Sequence, residues 1–182
     1  MQKFLTDNSH KIDWKAGKKR GEKKLSEFFI ERFNQSYNLN YHVVSNGEEA
    51  NDVDVHAVSE SHEILNLQLK TGEPGLEQFW GTRIKQGSGM AIIDVNIEEL
   101  LAQIIKDGEQ HYANTENLIL LITERYQPVF DAAYALHIAN KLSSTTLKGV
   151  YIVKLPAFDT TPPYEGQIVA IKDIFGNHGR IF

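Results

Sequence analysis

Cysteine is absent from all 182 residues. That excludes a disulfide framework and thiolate metal sites. No apolar run approaches the ~20 residues that a membrane-crossing helix needs. The opening stretch MQKFLTDNSHKIDWK lacks the apolar centre of a secretory signal. Internal repeats and low-complexity tracts are also missing. The seven histidines show no H-x-x-x-H or comparable spacing, so they do not read as a metal set. QLKTGEPG lacks the G-x-x-x-x-G-K-[ST] spacing of a phosphate loop. What remains is ordinary: 41% hydrophobic and 24% charged residues. We expect one cytoplasmic domain over residues 1–182, without a membrane partner and with room for a substantial core.

The charge is unevenly spread. Residues 11–24, KIDWKAGKKRGEKK, hold seven Lys/Arg against Asp13 and Glu22, a local +5. The net charge is −5, and residues 1–10 cancel, so residues 25–182 carry −10. A basic stretch on an acidic body suits phosphate contact by one segment. Lys18, Lys19, Arg20, Lys23 and Lys24 are the candidates there. Residues 1–17 are expected to form an irregular basic N-terminal arm. The alternative is a solvated helix start.

Periodicity supplies the elements. Leu25, Phe28, Phe29 and Phe33 mark a helical stripe over about 18–36. YHVVS at 41–45 reads as a strand. DVDVHAV alternates, with Val53, Val55 and Ala57 on one face and Asp52, Asp54 and His56 on the other. EILNLQLK sets Leu65, Leu67 and Leu69 against Asn66, Gln68 and Lys70, and SESH can close a hairpin. Glycines interrupt residues 71–95, where MAIIDV could add a strand. Trp80, Arg83 and Lys85 in that segment can touch DNA or cap the core.

Ile97, Leu100, Leu101, Ile104 and Ile105 fit an amphipathic helix capped by Asn96. NLILLIT reads as a central strand covered on both faces. The next helix is expected to carry Pro128 in its first turn, with a stripe of Val129, Ala132, Leu136 and Ala139. GVYIVKL is a second buried strand and GQIVAIKDI a possible edge strand. Tyr126, Tyr134 and Tyr151 read as packing residues. The fold class is therefore α/β, with one mixed sheet flanked by helices. Its early strands are antiparallel, and its later strands are joined by crossover helices.

Asp54, Gln68 and Lys70 then fall on polar faces of two adjacent strands. Gln68 and Lys70 point the same way, being two residues apart. Glu22 lies three residues before Leu25 and seven before Phe29, on the apolar stripe of the first helix. A carboxylate there needs a partner, either a metal ion or Lys70.

Asp-x13-Gln-x-Lys across two strands, after a helix bearing a glutamate, resembles the PD-(D/E)xK nuclease superfamily. The Gln-x-Lys form looks like the variant of Mrr-like restriction nucleases. The likeness spans about residues 18–155 by element order, αβββαβ, and four side chains carry it chemically. Val53 stands where the motif's name has proline.

The resemblance implies a restriction-endonuclease-like core and Mg²⁺ (or Mn²⁺) held by Asp54, Gln68, the Leu69 backbone carbonyl and Glu22. Lys70 would orient or deprotonate a water. It further implies phosphodiester hydrolysis in DNA, with a homodimer for double-strand cutting. A non-catalytic nucleic-acid-binding or assembly subunit of the same fold is the other expectation. Asp52 and His56 flank the set.

Overall fold

A computed structural model describes residues 14–46, 53–71, 96–112, 114–123, 130–154 and 165–182. Helix α1 runs Trp14–Tyr37, followed by β1 (His42–Asn46), β2 (Val55–Val58) and β3 (Ile64–Thr71). Then come α2 (Ile97–His111), a 3-10 turn (Thr115–Asn117), β4 (Leu118–Thr123) and α3 (Ala132–Leu142). β5 (Gly149–Lys154) and β6 (Gln167–Lys172) follow, the last elements among the described residues. The six strands form one mixed sheet in sequential order. β1–β2, β2–β3 and β5–β6 pair antiparallel, while β3–β4 and β4–β5 pair parallel. The protein is thus α/β, with the mixed sheet between helical layers. Among the described residues no helix is long and apolar enough to cross a membrane.

Each layer follows from a residue pattern. Leu25, Phe29, Ile30 and Phe33 of α1 are buried against Leu65, Leu67, Ile119, Leu121 and Tyr151. Leu101, Ile104 and Ile105 of α2 and Ala135 and Ile138 of α3 cover Leu120, Ile122, Ile152 and Val169 on the other face. The continuous run in β4 is buried from Leu118 to Ile122, as a strand covered on both sides must be.

α1 begins at Trp14, so residues 14–17 are helical and do not belong to an irregular arm. Lys15 and Ala16 are good helix formers. Gly21 does not stop the helix, and nothing lies within 4 Å of where its Cβ would be. The helix ends where Asn38 turns left-handed at φ 53°. Asn34 ties that end to the sheet by donating to the Tyr41 carbonyl at 2.7 Å and accepting from its N–H at 3.0 Å.

The β2–β3 hairpin closes as expected, with Ser59 N–H donating to the Glu63 carbonyl and Glu63 N–H to Ser59 Oγ. Asn96 caps α2 by accepting from the N–H groups of Glu98 and Glu99. α3 departs from expectation. Asp131, not the segment around Pro128, caps it by accepting from Tyr134 N–H at 2.7 Å. A capping carboxylate four residues before Ala135 displaces the start, because its acceptor satisfies a free first-turn donor. The buried face is accordingly Ala135, Ile138 and Ala139, while Leu136 is exposed. Pro128, Val129 and MAIIDV lie outside the described residues.

β6 ends the strand order, yet its outer edge is covered. Ile168 and Phe182 exchange backbone hydrogen bonds of 2.7 and 2.9 Å, and Ala170 N–H donates to the Arg180 carbonyl. The tail thereby occupies an edge that would otherwise invite pairing. Asp173 anchors it from within. Its buried carboxylate accepts from the hydroxyls of Tyr37 (2.7 Å) and Tyr151 (2.8 Å) and from Asn177 N–H (2.9 Å). Burial, and then the Asp173 charge, push the Tyr151 hydroxyl far above its usual range, so it stays a donor.

Two predictions follow from this packing. Gly179 has φ 78°, and a Cβ there would lie 2.7 Å from Leu136 Cα. Gly179→Ala should cost about 2 kcal/mol in urea unfolding, since left-handed strain and a backbone clash act together. An unchanged midpoint would contradict this packing of the tail on α3.

Glu109 fastens α2 to the loop before β5, accepting from Thr145 Oγ1 (2.6 Å), Thr146 N–H (2.7 Å) and Thr146 Oγ1 (3.3 Å). The Thr145 bond first, and the Thr146 bonds after it, hold the carboxyl below its ordinary 4.5 against the opposing effect of burial. A lowered folded pKa means stability that is present above the ordinary value and is lost as pH falls through the folded one. Glu109→Gln should therefore cost about 1 kcal/mol at pH 7 after solvent screening. Urea titrations should show that gap closing as pH falls below 4.5.

Candidate active site

The β2–β3 hairpin sets the centre of the site. Val55 pairs with Leu67 and His56 with Asn66, so the register places residue 54 opposite Gln68. β2 begins only at Val55. Asp54 therefore sits in the bend just before the strand, not on the strand itself as its alternation suggested. Beyond Val55 the ladder leaves the next inward donor of β3, the Leu69 N–H, without a strand partner. Asp54 takes that place: its Oδ2 accepts from Leu69 N–H at 2.8 Å and from Gln68 Nε2 at 2.5 Å. A residue in an antiparallel strand directs its N–H and C=O to the same side. The Leu69 carbonyl is thus aimed at the same edge.

Gln68 and Lys70 share a face, as expected. Gln68 pairs with Leu120 and Lys70 with Ile122, both on the side covered by α2 and α3. Gln68 is buried, with 7% of its surface exposed, and its Oε1 has no hydrogen-bond partner. Lys70 is half-buried, and its ammonium lies 5.3 Å from the centre of the Tyr112 ring. One step down the hairpin, His56 Nδ1 lies 2.9 Å from Asn66 Oδ1. His56 is a cross-strand partner there.

Glu22 belongs to the other helical layer and is half-buried on α1. The helix direction places it. Tyr37, at the C-terminal end of α1, reaches Asp173 just after β6, while Arg32 donates to the Glu165 carbonyl just before β6. β6 is antiparallel to β5. The first turns of α1 therefore point toward the end of the sheet where β3, β4 and β5 finish. Arg20, Lys23 and Lys24 are exposed on those turns. Lys18 and Lys19 lie in the same helix, but their side chains are outside the described residues, as are Asp52, Arg83 and Lys85.

Among the described residues no three His, Asp or Glu side chains form a group able to hold a metal. An ion at Asp54 would rest on one carboxylate plus amide and backbone oxygens. A buried acceptor without a partner costs about 1–3 kcal/mol. The orphaned Gln68 Oε1 beside the Asp54 carboxylate therefore fits a hard, oxygen-seeking cation.

Tyr112 was not singled out in the sequence. Only the C-terminal end of α2, which ends a strong apolar stripe there, hints at it. Comparison with protein-family models, curated proteins and solved structures returns no match.

The pairing makes a direct prediction. Gln68→Glu replaces a donor to Asp54 with a second carboxylate. Without metal the variant should lose about 1–2 kcal/mol through lost hydrogen bonding and like-charge repulsion. Mn²⁺ should restore much of that loss. Urea unfolding with and without Mn²⁺ checks it, and equal curves for both proteins would separate Gln68 from Asp54.

Proposed function

We propose that this chain is a metal-dependent nuclease of the PD-(D/E)xK kind, hydrolysing phosphodiester bonds in DNA. The observation that carries the reading is the Asp54–Gln68–Leu69 junction. An acid before one strand meets an amide and the Leu69 N–H on the next, with Lys70 two residues beyond Gln68 on the same face. Support also comes from the element order: helix, antiparallel three-strand meander, helix and parallel strand. That order is the one expected of a restriction-endonuclease-like core.

Asp54, Gln68 Oε1 and the Leu69 carbonyl would hold Mg²⁺ or Mn²⁺, with Glu22 as a further acid. Bound there, the ion would neutralise phosphate charge and make a water more acidic. Asp54 supplies the fixed negative charge, held in place by two hydrogen bonds. Gln68 supplies an oxygen without charge. Lys70 brings a cation to the same face, suited to orienting the attacking water or to meeting negative charge on the phosphate. Arg20, Lys23 and Lys24, exposed on α1, suit backbone phosphates. A homodimer would supply a second site for cutting both strands.

A second reading has its own observation. Both donors next to Asp54 already satisfy it, and Gln68 adds no charge, as suits a non-catalytic nucleic-acid-binding or assembly subunit. One assay separates the two. Supercoiled plasmid incubated with the protein and Mg²⁺ or Mn²⁺ should become nicked or linear. Asp54→Ala and Lys70→Ala should each lose about 100-fold or more. By isothermal titration Asp54→Ala should weaken Mn²⁺ binding, whereas Lys70→Ala should leave it largely intact. Plasmid left supercoiled by the wild-type protein with either ion would favour the non-catalytic subunit.

A further inference from the structure

Lys70 does not project freely from β3. Its ammonium faces the Tyr112 ring at 5.3 Å, inside the ~6 Å within which a ring face attracts a cation. Tyr112 is itself fixed. It is the C-cap of α2, with extended backbone at φ −108° and ψ 133°, and its N–H donates to the Gly108 carbonyl. Tyr112 is partly buried and packs at the margin of the core on the α2 side of the sheet.

The packing of α2 on the sheet explains how the ring gets there. A Cβ at Gly108 would lie 3.4 Å from Leu120 Cδ2 and 3.7 Å from Leu147 Cδ1. These are ordinary packing distances, and they place this turn of α2 over Leu120 of β4. Leu120 is the strand partner of Gln68. The same packing brings the residue four positions later, Tyr112, onto the face that carries Gln68 and Lys70. A flexible four-carbon stem would otherwise let the ammonium sample many positions.

We propose that Tyr112 is a positioning residue for Lys70, its ring seating the ammonium on the face shared with Gln68, beside the Asp54 junction. The inference rests on the nuclease reading for its consequence in catalysis, but the seat itself is independent of that reading. The ring face does the seating and the hydroxyl does not. Phenylalanine at 112 therefore keeps the seat, and leucine removes it while keeping an apolar side chain at the core margin.

Two readouts test this. In protein labelled with ¹³C-lysine, the Hε signals of Lys70, assigned with Lys70→Arg, should be moved upfield by the ring. They should stay so in Tyr112→Phe and return to the usual lysine position in Tyr112→Leu. In plasmid cleavage with Mn²⁺, Tyr112→Leu should lose roughly tenfold or more in kcat with KM little changed. Tyr112→Phe should stay within about twofold of wild type by the same reasoning. Urea unfolding confirms that the leucine variant is folded. A wild-type Lys70 signal at the ordinary position overturns the seat. Equal kcat for wild type and Tyr112→Leu overturns the positioning role. Plasmid left intact by the wild type would remove the nuclease reading, and with it the catalytic role, while the lysine spectrum still decides the seat.

Discussion

β4 lies between two parallel neighbours and beneath helices on both faces, and this double burial constrains everything around it. A strand without a polar side must be apolar throughout, as Leu118–Ile122 is. Parallel pairing on both sides requires crossover connections, because a hairpin cannot reverse the chain direction twice. Crossovers of one hand, stepping one way through β3, β4 and β5, put α2 and α3 on a single face. The opposite face then needs its own cover. α1 provides it with a stripe of leucine, isoleucine and phenylalanine that ends in an aromatic cluster. Phe29 and Phe33 stack at 5.3 Å, and Phe29 meets Tyr151 at 5.0 Å.

The site lies where that regularity stops. β2 is four residues long and β3 is eight. The longer strand outruns its antiparallel partner and exposes a backbone donor at Leu69. Asp54 supplies the missing acceptor, so one carboxylate both ends the ladder and marks the candidate site. Its structural duty is real on any reading of function. Any chemistry there would use a group whose position backbone hydrogen bonding has already fixed. Gln68 differs in that its nitrogen is engaged and its buried oxygen is not.

The element order was readable from periodicity, because burial on one face or two leaves distinct patterns. Alternation marked β2 and β3, the unbroken run marked β4, and the spacing of three and four marked α1 and α2. Asn96 was readable as a cap because its role is local. α3 was not placed correctly. Pro128 and Asp131 both signal a helix start, and the local chain does not rank them. The capping hydrogen bond to Tyr134 decides for Asp131, and the buried face rotates with it. The cover over β6 was invisible too, because Ile168 and Phe182 meet across sequence-distant backbone.

The sequence by itself determined which residues of β2 and β3 share a face, since strand alternation is a property of the backbone alone. It thereby grouped Gln68 with Lys70 and brought Asp54 close to them. Tertiary structure decided what each of them touches. It put Asp54 in the bend instead of on the strand, because the register ends β2 at Val55. It set Glu22 on the opposite helical layer, because α1 must cover the face that the crossover helices leave bare. It also brought Tyr112 to Lys70, because α2 packs on the face of the sheet that carries Lys70. Contacts of that kind depend on how layers pack, and no local pattern in the chain encodes the distance between layers.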